Sequence, residues 1–339
     1  MSDRRRALEA AIDSSPDDRD AYAIYADELQ RLGDPRGELI ALALAEPSVI
    51  VEDRIRALIA EHDFAPGGPL HDLRWRWGFV SRAELDPRGL TPDELHGVLD
   101  HPSLRFLAAL WVRCREHGLQ PAIDLLARHT RPALRELWLG SPRDDGASYH
   151  APSFDLGSLD ALWVAVPNLE SLTLTGQNVS VGTLELPRLS SLTVRSIALR
   201  RPLLEAIVDA TWPALQTLDL SFGTTVPDLA LLERLIARPF PALCVLRLSA
   251  NALDDLIEPL ARAPLLQRLT HLGLHAGLTD RGAELIDSHR DAFRHLERLD
   301  VSENQLSPAG IECLGGAARE IATGAQREPV DHDPDLYDY

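Results

Sequence analysis

The chain has 339 residues, 45% of them hydrophobic, enough to bury a large core and more than one ordinary compact domain requires. Its net charge of -18 repels a phosphate backbone, which argues against nucleic-acid binding. All 34 basic residues are arginine, which excludes a P-loop lysine, pyridoxal Schiff-base chemistry and a kinase-type lysine.

The first residues, MSDRRRALEAAIDSS, are charged and carry no apolar signal stretch, and no run approaches the roughly 18 apolar residues of a membrane span. The cysteines, Cys114, Cys244 and Cys313, are far apart and odd in number, as expected of small buried groups in a reducing compartment. The expectation is a cytoplasmic protein with no membrane contact. Residues 15–45, SPDDRDAYAIYADELQRLGDPRGELIALALA, read as a helix, a break at Gly33-Asp34-Pro35 and a second helix. Ser15 is placed as the N-cap, Pro16 as the first helical residue and Asp18 at the capping-box partner position. Tyr22, Tyr25, Ala26 and Leu29 share one helical face. Trp75 and Trp77 stand just before Gly78-Phe79-Val80, and they read as a packed joint to the segment that follows, not as a ligand site.

From there the chain repeats. LCVLRLSANAL (243–253) has leucine at positions 1, 4 and 6, Asn251 at position 9 and Leu253 at position 11; LERLDVSENQL (296–306) repeats it with Leu296, Leu299, Val301, Asn304 and Leu306. Weaker copies begin at Val80, Leu107, Leu134, Leu169, Leu189, Leu215 and Leu269, with start-to-start spacings of 27, 27, 35, 20, 26, 28, 26 and 27 residues. The long and short spacings are adjacent, so an insertion is followed by a shortened unit. A short strand with alternating inward leucines cannot cover its own apolar face, and an amphipathic second stretch such as LLEAIVDA, LALLERLIA or GAELIDSH supplies a helix for the return. Stacked units bury strands and helices in one continuous core. Proline opens several strands, as in WPALQTL and FPALCVL, where it ends the preceding helix at no cost in ladder bonds.

On these residues the segment from about 78 to 323 resembles the leucine-rich repeat family of the long-repeat, ribonuclease-inhibitor-like kind. The resemblance implies an α/β solenoid with a curved parallel sheet inside, helices outside, and an asparagine at position 9 that satisfies backbone groups in the turn. Gln177, Gly223 and Gly277 depart from that last pattern. YADELQRLGDPRGELI (25–40) resembles a bacterial repeat-companion domain that precedes leucine-rich repeats, which implies an all-helical cap. The expected division is residues 1–74 as the cap, 75–323 as the solenoid and 324–339 as an acidic tail.

Positions 3, 5 and 7 of each unit are expected to line the concave sheet. The candidates there for partner binding are Trp111, Trp138, Arg113, Arg195, Asp219, Arg247, His271, His275 and Arg298. Trp111 and Trp138 fall in the same column of adjacent units, so they should lie side by side, and tryptophan and arginine dominate binding hot spots. The insertion SPRDDGASYHAPSF (141–154) follows Trp138 directly and is a candidate binding loop. His271 and His275 have no carboxylate or cysteine at metal-ligand spacing, and no HExxH, GxSxG, CxxC or Gly-rich phosphate loop occurs. No catalytic residue, metal or cofactor is therefore assigned. In the tail, Asp331, Asp333 and Asp335 match the first ligands of a calcium loop, but Leu336 stands where glycine is required.

The sequence thus points to a non-enzymatic recognition scaffold whose protein partner carries an acidic segment to match the arginines. The alternative is a folded precursor whose repeats dock a modifying or processing enzyme. In that case the tail is altered as in ribosomally made, modified peptides, through Asp331, His332, Asp333, Asp335, Tyr337, Asp338 and Tyr339.

Overall fold

The leucine pattern becomes a ladder of buried side chains in the computed structural model of the protein, which describes residues 3–113, 118–140 and 154–327. Every unit-opening residue from Val80 to Leu296 is at most 4% exposed, and Leu218, Leu246 and Leu299 at position 4 are fully buried. The described chain falls into two compact units, 3–189 and 190–327. Most of the 141–154 insertion and the end of the tail lie outside the described residues.

In the first unit the chain begins with helices α1 (Asp3–Ser14), α2 (Arg19–Arg31), α3 (Arg36–Leu44) and α4 (Val49–Glu61). The break at Gly33-Asp34-Pro35 falls between α2 and α3 as its composition dictates. The cap of α2 differs from the sequence reading: Ser15-Pro16-Asp17 is a turn, and Asp18 is the N-cap. The Asp18 carboxylate accepts from the amides of Asp20 and Ala21, so its short side chain satisfies two orphan N–H groups of the first turn.

The sequence pattern gives no sign of the next element, strand β1 (Leu70–Arg76), which pairs antiparallel with β2 (Phe79–Leu85). A two-residue turn joins them, with both Trp77 (φ 45°) and Gly78 (φ 79°) left-handed, the conformation that matches the twist of a tight hairpin. Trp77 meets the strain of that φ with packing: its ring lies 4.9 Å from Tyr22, and the Arg76 guanidinium sits 4.2 Å from its centroid. Trp75 packs against the cluster of Leu39, Leu58 and Phe64. Both tryptophans are parts of the joint.

That joint is aromatic and contains a buried charge. Tyr22, Tyr25, Phe79 and Phe106 form a cluster in which the Phe79 and Phe106 rings meet edge to face at 4.7 Å. Burial pushes both phenols up, and the Tyr25 hydroxyl donates to Glu9 at 2.7 Å. Arg36, 5% exposed, reaches from α3 into the hairpin. It donates to the Gly78 carbonyl (2.8 Å) and the Ser103 hydroxyl (2.9 Å), and it lies over the rings of Phe64 and Phe79. Burial lowers its pKa to about 10, so it remains protonated at neutral pH.

Strands β3 (Ala109–Arg113), β4 (Glu136–Gly140) and β6 (Ser171–Thr175) extend β2 in parallel register, Ala83 beside Leu110, Leu137 beside Leu172. Helices α5 (Pro92–Leu99), α6 (Gln120–Leu126) and α7 (Leu162–Ala165) lie on the return limbs. The shortened unit after Leu169 has no helix. In its place β7 (Gln177–Ser180) pairs with β5 (Asp155–Ser158) in a separate small sheet, because 20 residues leave no room for a helix after a strand and two turns.

The second unit is the more regular. Strands β8 (Ser191–Arg195), β9 (Thr217–Ser221), β10 (Val245–Ser249), β11 (His271–His275) and β12 (Arg298–Asp300) run parallel, followed by the short β13 (Glu320–Ala322). Leu192, Leu218, Leu246, Leu272, Leu299 and Ile321 align in one column. Helices α8 (Arg201–Asp209), α9 (Leu229–Ala237), α10 (Asp254–Arg262), α11 (Asp280–Ser288), α12 (Arg290–Phe293) and α13 (Pro308–Cys313) return the chain. An aspartate at the start of one helix clamps the next unit. The Asp254 carboxylate accepts from the amide (3.0 Å) and hydroxyl (2.5 Å) of Thr279, and Asp280 accepts from those of Ser307 (2.9 and 2.6 Å).

The two position-9 asparagines part ways. Asn304 is fully buried; its oxygen accepts from the Leu278 amide, and its nitrogen donates to the Leu274 and Val301 carbonyls. Asn251 is exposed. The neighbouring unit has Gly277 at this position, and a Cβ there would lie 2.2 Å from the Ala250 carbonyl oxygen. The backbones of these two turns therefore lie close together at Gly277.

Leu218→Ala or Leu246→Ala is expected to cost about 2–5 kcal/mol, since each fills a column shared with both neighbouring strands. Urea unfolding followed by circular dichroism checks this. A loss well under about 1 kcal/mol would contradict the register.

Candidate recognition surface

Side chains at positions 3, 5 and 7 of each repeat point away from the leucine core, because successive strand residues alternate faces. In the first unit that face is built around two tryptophans. Trp111 of β3 is the register partner of Trp138 of β4, and their rings meet edge to face at 4.7 Å. Both are half-buried. The Trp111 indole N–H donates to Glu136 at 2.7 Å, and that of Trp138 donates to the Thr175 hydroxyl at 3.2 Å. The Arg82 guanidinium lies 3.8 Å from the Trp111 centroid. Arg113 pairs with Glu84, which is 6% exposed. Arg82, Glu84, Glu136 and Thr175 complete this cluster; the alternation of the strands had placed them on the face, but not their contacts with the tryptophans.

In the second unit the remaining candidates occupy adjacent strands. Arg195 of β8 pairs with Asp219 of β9 at 3.5 Å. Arg298 of β12 bridges Asp300 (3.4 Å) and Glu320 of β13 (2.6 Å). Arg247 of β10 is exposed, and no carboxylate of the described residues pairs with it. The arginines that read as a uniform basic row are thus mostly tied to carboxylates of their own face. His271 and His275 flank Gly273 on β11. The His275 Nδ1 lies 3.0 Å from the Ser302 carbonyl oxygen, which can only accept, so Nδ1 carries the proton and Nε2 faces the open side. The His271 Nδ1 lies 2.9 Å from the Thr270 hydroxyl. The tail residues Asp331, His332, Asp333, Asp335, Tyr337, Asp338 and Tyr339 lie outside the described residues.

Among the described residues no three His, Cys, Asp or Glu side chains are grouped to hold a metal ion, and no helix is long and apolar enough to cross a membrane. No family profile matches the chain, and no curated protein matches it. Among solved structures it is similar to a protein from Bacteroides fragilis, with a TM-score of 0.62 and 22% identity over 71% of this chain and 74% of that one. It is also matched to an internalin from Listeria monocytogenes, with a TM-score of 0.33 and 17% identity over 66% of this chain and 70% of that one. The first likeness is one of fold. Together with the repeat ladder, it supports an α/β solenoid of leucine-rich-repeat type preceded by helices.

Asp300 gives this face a measurable pH signature. Burial acts to raise its pKa, but the Ser302 hydroxyl and amide, His275 and Arg298 outweigh burial and hold it below the ordinary aspartate value. A depressed carboxylate stabilises the fold above its unfolded pKa, and that contribution is lost as pH falls through the folded value. Asp300→Asn should therefore have a lower urea midpoint than the parent protein at pH 7. The two should converge as the pH drops below the ordinary value of about 3.9.

Proposed function

We propose that the protein is a non-enzymatic recognition module that holds another protein against the open strand faces of its repeats. The observation that carries this reading is the Trp111–Trp138 pair. Both indole N–H groups are satisfied inside the face, so what the pair offers outward is ring carbon, held rigid by Arg82, Glu136 and Thr175. Rigid aromatic surface flanked by fixed charges is the composition of a binding hot spot, since little conformational entropy is lost when a partner covers it. The amino-terminal helices fit a repeat-companion domain in this reading. They cover the aromatic end of the first repeats and keep that edge from associating. A cytoplasmic setting accords with the composition.

Changing Trp111 and Trp138 together to alanine is expected to weaken capture of the native partner by at least about 2 kcal/mol, roughly 30-fold, while the urea midpoint stays near that of the parent. Quantitative pull-down from host lysate with both proteins measures this. Equal capture would place the functional surface elsewhere. The intact mass of the protein from its host tests the alternative precursor reading, which requires a shift confined to the segment from Asp331 to Tyr339.

A further inference from the structure

We infer that the tryptophan face of the first unit reads one short pattern in its partner: an extended segment with an Asp or Glu two residues from a large apolar side chain, the carboxylate taken by Arg82 and the apolar group laid on Trp138. This inference rests on the recognition reading above and adds the chemistry of the partner. The first observation is how the charges of the face are used. Glu84 is held by Arg113, and Glu136 accepts the Trp111 indole N–H. Arg74, the register partner of Arg82 on β1, pairs with Asp72 at 3.2 Å. Of these three arginines, Arg82 has no ion pair and no side-chain hydrogen bond among the described residues, and its guanidinium nitrogens reach solvent.

The second observation is how that fork is held. Its central carbon lies 3.8 Å from the Trp111 centroid, too near to stand at the edge of the ring, so the guanidinium rests on the indole face. A guanidinium stacked in this way keeps its N–H groups in its own plane, where a carboxylate can accept two parallel hydrogen bonds from them. The third observation is what lies next to it. The Trp138 ring, 4.7 Å from that of Trp111, has no cation over it among the described residues, and its N–H is spent on Thr175. The fork and the Trp138 ring are therefore separated by at most the sum of these two distances, little more than the roughly 7 Å between alternate side chains of an extended chain. One acid and one apolar group at that spacing reach both features from the same side, whereas adjacent residues point to opposite sides. Glu84 and Glu136 flank the stack and repel a run of acids, so the fit is to a single one.

The test is fluorescence anisotropy on the full chain with three labelled peptides that differ only at the centre: Asp-Ser-Leu, Asn-Ser-Leu and Asp-Leu-Ser. The first should bind at least about 10-fold more tightly than either of the others. Arg82→Ala should remove the preference for Asp over Asn while its urea midpoint stays near that of the parent. Trp138→Ala should weaken the Asp-Ser-Leu and Asn-Ser-Leu peptides by the same factor and remove the preference over Asp-Leu-Ser. Arg281→Ala, on the helical side of the second unit where it pairs with Asp255, should leave both preferences unchanged. Equal affinity of the parent protein for Asp-Ser-Leu and either of the other peptides overturns the inference. So does a preference for Asp that survives Arg82→Ala, or no binding of the Asp-Ser-Leu peptide at millimolar concentration. If the double tryptophan variant still loses its native partner in that event, the recognition reading stands without this pattern.

Discussion

A five-residue strand has one apolar face and nothing of its own to cover it. The in-register column of position-4 leucines is the answer in this protein, and the other features are arranged around it. Leu192, Leu218, Leu246, Leu272 and Leu299 lie side by side because the parallel pairing is residue-for-residue across the second unit. A one-residue slip would turn that column to solvent and bring the charged face into the core, so the register is strongly specified. Once it is set, position 5 of each strand must stand beside position 5 of the next. The Trp111–Trp138 contact in the first unit is a consequence of the same rule.

Stacked repeats leave an exposed first edge, and the amino-terminal helices manage it with aromatic packing and one buried guanidinium. Arg36 has no direct carboxylate partner among the described residues; two hydrogen-bond acceptors and two phenylalanine faces stand in for one. The lowering of its pKa records the cost of that burial. Its hydrogen bonds require the β1–β2 turn to sit where it does, so the guanidinium fixes the geometry of the joint more than it adds to stability. In the second unit, β13 is short, and its Glu320 pairs with Arg298 of β12, features that blunt an edge against further pairing.

The strand faces show how a strongly acidic chain presents arginine without presenting net positive charge. Arg113, Arg195 and Arg298 are each oriented by a carboxylate on the same or an adjacent strand. The partly exposed Arg195 and Arg298 pairs contribute little to stability, but all three pairs hold the planar forks in fixed positions. Arg247 departs from the pattern, and it stands beside the one strand of the second unit's face that has glycine at the centre.

The sequence by itself determined the repeat: the leucine spacing gives the strands, LALLERLIA gives α9 at its observed bounds, and the matched columns bring the two tryptophans together. These are legible because strand and helix periods are local and the stacking simply copies them. The tertiary structure decided what depends on side chains distant in sequence. The β1 strand exists because the Trp77-Gly78 turn is held against Arg36 and Tyr22, and nothing in its own seven residues announces it. Asn304 and Asn251 are identical in repeat position, yet Asn304 is buried with its amide bonded into the Leu278 turn, while Asn251 is exposed. Whether an arginine is free or paired likewise turns on rotamers across the ladder, which a one-dimensional pattern does not carry: it assigns Arg195, Arg247 and Arg298 to one face, and only the packed sheet distinguishes Arg247 from the other two.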